Sequence, residues 1–127
     1  MMRVAQFMKR ELVSVEYGAS ISTVAAIMRQ QHVGSILVKQ ADRIVGILTE
    51  SDIVRRVVAL DLPPASITVE YVMSAPLITI EEDQSLFEAA DLMDQHKTRH
   101  LAVINEAGIV GIISVRDFLR PVAVDDL

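Results

Sequence analysis

The chain has 127 residues, which sets one compact module burying roughly two thirds of its unfolded surface and excludes two large domains. It is 51% hydrophobic and 23% charged, so it builds a core of aliphatic residues rather than a disordered tail, and its 4% aromatic content is low. Twelve Lys and Arg against seventeen Asp and Glu leave a net charge of −5, a poor basis for binding nucleic acid through its phosphates, and with no cysteine there are no disulfides, thiolate metal sites or Cys nucleophiles.

In chain order, Leu12 to Val15 reads as a short strand, followed by a helix with Ile21, Val24, Ala25 and Met28 on one face. Ser35 to Val38 and Ile44 to Leu48 then read as a β-hairpin around Gln40 to Arg43, and a second helix opens near Glu50. Asp61 to Ser66, with Pro63 and Pro64, reads as a linker. The same series then returns. Leu77 to Ile80 is a strand, and Leu86, Ala89, Ala90 and Met93 form a helix face behind a capping box of Ser85 and Glu88. His100 to Ile104 and Ile109 to Ile113 pair around Asn105 to Gly108, and a last helix begins near Val115. No apolar run approaches the length of a membrane span, and no signal-peptide stretch is visible at the start, so the expected location is the cytoplasm.

The recurrence is a gapless tandem repeat at a shift of 65 residues. Ile44-Val45-Gly46-Ile47 falls on Ile109-Val110-Gly111-Ile112, Asp52 on Asp117, and Arg55 on Arg120. The expected fold is therefore mixed α/β (α+β): two copies, residues 1–62 and 63–127, each strand, helix, two strands and helix. Each copy is too small to cover its own sheet, so the two are expected to pack with pseudo-twofold symmetry and to form paired clefts. Met8, Met28, Met73 and Met93 recur at core positions and read as packing residues.

Gly46, Thr49 and Asp52 recur as Gly111, Ser114 and Asp117 without an explanation in burial. One reading is local: Thr49 or Ser114 caps a helix and the Asp three residues on completes the cap. The other is functional. A strand end leading into a helix offers N–H groups and a hydroxyl, and an ionised Asp accepts both hydrogen bonds of a ribose diol.

These motifs, Gly46-Ile47-Leu48-Thr49-Glu50-Ser51-Asp52 and Gly111-Ile112-Ile113-Ser114-Val115-Arg116-Asp117, resemble those of a cystathionine-β-synthase (CBS) domain pair, the Bateman module, and the resemblance covers nearly the whole chain. It implies a regulatory, non-catalytic module that senses AMP, ADP or ATP, or S-adenosylmethionine, and that forms a homodimer acting on a protein in trans. It further implies a first cleft of Ile47, Thr49 and Asp52 with Leu77 and Ile78 on the adenine and Arg99 and His100 near the phosphates. The second would use Ile112, Ser114 and Asp117, with Leu12 and Val13 on the base, Val33, Gly34 and Ser35 beside it, and Arg116 adding charge. Leu37 and Ala102 stand where many relatives have Pro. The first cleft, with Arg99 and His100, is expected to bind more tightly. The alternative is a structural or protein-interaction module without ligand. No Ser, His and acid cluster recurs, so no catalytic residue and no catalytic cofactor is assigned. His96 and His100 have a metal-like spacing only if one helix carries both, and Lys97 to Arg99 reads as leaving the helix, so no metal site is assigned either.

Overall fold

A computed structural model describes residues Met1–Leu119, and these form two compact units. One is Val13–Leu77. The other joins Met1–Leu12 to the segment beginning at Ile78. Arg120, the expected partner of Arg55, lies outside the described residues.

The Val13–Leu77 unit holds a three-stranded sheet in the order β1 (Ser14–Glu16), β2 (Ser35–Gln40), β3 (Arg43–Thr49). β1 runs parallel to β2 across helix α2 (Ile21–Gln31), and β2 and β3 form an antiparallel hairpin with Leu37 opposite Ile47. Ser20 caps α2 by accepting the Thr23 N–H through its side chain, and His32 ends it in the left-handed conformation. Ile21, Val24 and Met28 point into a core with Ile36, Val38, Leu48, Val57, Val69 and Val72. Ala25, expected on that face, is exposed: the buried stripe follows positions 21, 24 and 28, and Ala25 falls at its edge. Past β3 the chain forms one α-turn, α3 (Glu50–Ile53), and relaxes into a π-helix over Val54–Val58.

The other unit repeats this plan with β4 (Thr79–Glu81), β5 (His100–Asn105) and β6 (Gly108–Ser114), helix α4 (Leu86–His96) crossing between the parallel pair. Ala89 and Met93 are buried with Ile80, Leu101, Val103 and Ile113, whereas Ala90, like Ala25, is exposed. Ser85 and Glu88 form the expected capping box. The helix expected at Val115 is a 3₁₀ segment, Val115–Leu119.

Each unit is completed by a segment that precedes the other copy in sequence. Helix α1 (Val4–Phe7) and Met8 enter the core built on β4–β6, with Val4 fully buried. Val4 N–H donates to the Gln84 carbonyl and Leu86 N–H to that of Met2. At equivalent positions, Val69 N–H donates to Ala19 and Ile21 N–H to Ile67 within the Val13–Leu77 unit. The packed units therefore do not coincide with a division at 62/63: residues 63–77 pack with the first copy and 1–12 with the second.

Candidate functional site

In the Val13–Leu77 unit, β3 ends at Thr49, whose extended backbone (φ −117°, ψ 163°) lets its side chain fold over the first turn of α3. Asp52 N–H donates to Thr49 Oγ1 at 3.2 Å, while Asp52 Oδ2 accepts from Thr49 N–H at 3.0 Å and from the Thr49 hydroxyl at 3.1 Å. The other carboxylate oxygen, Oδ1, lies 3.9 Å from Arg56 Nε. Arg56 is itself anchored through Nη1 to the Val72 carbonyl at 3.0 Å. The Asp52 side chain is only 14% exposed, so the acid is turned away from bulk water and held in one orientation.

The second junction is built alike and buried more deeply. Asp117 Oδ2 accepts from Ser114 N–H at 2.8 Å and from the Ser114 hydroxyl at 3.2 Å, and Asp117 is 2% exposed. Both junctions are thus hydroxyl–carboxylate pairs in which the acid accepts from the hydroxyl and the N–H three residues before it, and at Thr49 the full capping box is formed. The head of the neighbouring strand is tied to each junction: Glu50 N–H donates to the Gly34 carbonyl, and Val115 N–H to that of Arg99, both at 3.0 Å. Ser35 accordingly pairs opposite Thr49, and His100 opposite Ser114.

The remaining expected site residues divide between the units. Val13, Val33, Gly34, Ser35, Ile47 and Leu77 lie in the Val13–Leu77 unit with Thr49 and Asp52. Leu12, Ile78, Arg99, His100, Ile112 and Arg116 lie in the other, with Ser114 and Asp117. Val13 and Ile78 sit just before β1 and β4, where their carbonyls accept from Leu37 N–H (2.9 Å) and Ala102 N–H (3.0 Å). A Pro at position 37 or 102 would lack that N–H, which is the structural meaning of the departure noted there. Arg99 and Arg116 are exposed and His100 is half-buried.

Gly46 and Gly111 belong to packing rather than to the hydroxyl–carboxylate pairs. A Cβ on Gly46 would lie 2.7 Å from Met73 Sδ and 2.8 Å from the Ser74 carbonyl oxygen, and one on Gly111 at the same distances from Met8 Sδ and the Lys9 carbonyl oxygen. Ser74 pairs with Ile47, and Lys9 with Ile112, by reciprocal backbone bonds of 2.8–3.0 Å. The recurrence of Met8-Lys9 ahead of one copy and Met73-Ser74 ahead of the other was the available sequence signal. Sequence reasoning also passed over Glu50 and Arg56, which touch the first junction. His96 ends α4 and His100 begins β5 beyond the left-handed Lys97, so the two do not share a helix. Among the described residues no group of three or more His, Cys, Asp or Glu is placed to hold a metal ion, and no helix is long and apolar enough to cross a membrane.

The doubled junction and doubled sheet agree with what the chain is similar to. The CBS domain family matches twice, at residues 4–59 and 69–124. The CBS domain-containing protein YhcV of Bacillus subtilis is 32% identical over 92% of this chain and 83% of its own length. A protein of Methanopyrus kandleri is 31% identical over 92% of this chain, and the matched part is 61% of that relative's length. Among solved structures, a CBS-domain protein from Burkholderia ambifaria superposes with a TM-score of 0.91 at 30% identity, covering 99% of this chain and 97% of that one. The chain belongs to the CBS domain family and carries a tandem pair of such domains.

Proposed function

We propose that this CBS pair is a regulatory module that senses an adenosine nucleotide, AMP, ADP or ATP, with Asp52 and Asp117 each accepting the hydroxyls of a ribose. The observation that supports this reading is the repetition of one arrangement, a carboxylate shielded from bulk solvent and oriented by the hydroxyl and N–H three residues before it, at equivalent places in both copies. An oriented acceptor binds a diol without first losing side-chain freedom. The base and phosphate roles follow the family resemblance: Leu77, Ile78, Arg99 and His100 serve the nucleotide held by Asp52, and Leu12, Val13, Val33, Gly34, Ser35 and Arg116 the one held by Asp117. The proposal places the module in the cytoplasm, as a homodimer acting on a protein partner rather than as an enzyme. Val54, Val58 and Leu60 are each more than half exposed and supply apolar surface for such association.

Isothermal titration and thermal shift with AMP, ADP, ATP and S-adenosylmethionine test the reading. A bound nucleotide at about a hundred times its Kd stabilises the fold by roughly 2.7 kcal/mol. Asp52→Ala and Asp117→Ala should each remove one binding event. The second reading, a purely structural module, draws on the same hydrogen bonds as helix caps. It predicts that the two variants lose about 1–2 kcal/mol of stability and that wild type binds no ligand.

A further inference from the structure

The two strand heads are tied to their junctions by the same backbone bond but carry opposite charge. In the Val13–Leu77 unit the strand head is Gly34, and the space a side chain would take there is filled by Glu50: a Cβ on Gly34 would lie 2.5 Å from Glu50 Oε1. At the equivalent positions of the other copy stand Arg99 and Val115, so the strand head bears a guanidinium and the position of Glu50 an uncharged aliphatic side chain. The backbone bond joining the two positions is 3.0 Å in both copies, so the exchange is one of side chains upon an unchanged frame. His100, opposite Ser114, reinforces the positive sign at the Arg99 strand head, while its counterpart Ser35 is neutral.

From this pairing we infer that Glu50 is a specificity-determining residue: it makes the Gly34–Ser35 strand head refuse a phosphorylated 5′ end and accept an adenosine ligand whose 5′ group is neutral or cationic, while Arg99–His100 takes the phosphorylated one. The inference rests on the nucleotide reading above and adds which ligand goes where. A carboxylate repels a phosphate at close range, and an exposed Arg offers it a charge-assisted, two-pronged donor. Glycine at position 34 is part of the device, because any larger residue there would displace the Glu50 carboxylate from the strand head.

The test is calorimetric titration of the full chain with adenosine, AMP and ATP, for wild type, Glu50→Gln and the paired exchange Gly34→Arg with Glu50→Val. Wild type should take up one equivalent of ATP per chain and a further equivalent of adenosine. Glu50→Gln should raise ATP affinity at the adenosine-taking site by about tenfold relative to adenosine, so that a weak second ATP event emerges, since one nearby charge in a solvated site is worth on the order of 1 kcal/mol. The paired exchange should give two ATP events of similar affinity. Gln retains the size of Glu, and melting temperature confirms the fold of each variant. An unchanged ratio of ATP to adenosine affinity in Glu50→Gln, with wild type binding normally, overturns this inference alone. If neither wild type nor Glu50→Gln binds any of the three ligands, the nucleotide reading fails and takes the inference with it.

Discussion

Val4 lies near the start of the first copy in sequence, yet its side chain is fully buried in the core of the second, among Leu101, Val103 and Ile113. Val4→Ala removes two methyl groups from that core. With about 0.8 kcal/mol for each buried carbon and a term for incomplete collapse of the cavity, the loss is about 2 kcal/mol. For a unit of this size that lowers the melting temperature by roughly 8 °C. Val69→Ala, at the equivalent buried position of the Val13–Leu77 unit, should cost a similar amount. Stability alone does not tell the two variants apart, so the assay is the amide shift map by two-dimensional NMR. Val4→Ala should move the amides of Leu101, Val103 and Ile113, and Val69→Ala those of Ile36, Val38 and Leu48. If Val4→Ala instead moves residues 36–48 more than 101–113, the exchange of leading segments is wrong.

Gly46→Ala and Gly111→Ala should each cost about 1–3 kcal/mol in denaturant melts, because the new methyl meets a backbone carbonyl that cannot withdraw without breaking the Ser74 or Lys9 pairing. Gly18→Ala, with no atom within 4 Å of the added carbon, should be near neutral in the same assay. Hydrogen bonds from Gln84 and then Ser85 hold the Glu88 carboxyl below the usual glutamate range. A lowered folded value means that the capping contribution is present above the ordinary glutamate pKa and is lost as pH falls through the folded one. Carbon-detected NMR titration should show a low Glu88 midpoint that rises in Gln84→Ala and in Ser85→Ala.

Local chemistry was legible in the sequence because it is written in short spacings. Ser85 and Glu88, Thr49 and Asp52, and the turn residues before Arg43 and Gly108 form bonds with neighbours a few positions away, and each was found where its spacing predicts. The docking of α1 was not legible, and the reason is the repeat itself. Because Met2 to Lys9 and Ile67 to Ser74 make the same bonds, either could satisfy either copy, and periodicity holds no record of the choice. Strand β1 begins at Ser14 rather than Leu12 because only from Ser14 onward does the chain pair with β2. Val13, just outside, still lends its carbonyl to Leu37. The capping pairs Thr49–Asp52 and Ser114–Asp117 illustrate the limit for function. Their spacing foretold the hydrogen bonds, but a three-residue spacing is the same for a helix end as for an acid aimed at a ligand, so the sequence carries no mark that separates the two.

The exchanged leading segments also order events on the ribosome. Everything the Val13–Leu77 unit needs has been synthesised once Leu77 emerges, so it is free to close while the rest is still being translated. Met1–Leu12 is made before the Val13–Leu77 unit yet finds its place after it, since its strands and helix, β4 to β6 and α4, are translated later. A nascent chain halted midway would therefore carry one finished half and, ahead of it, Val4 and Met8 with no core to enter until β4 to β6 are made.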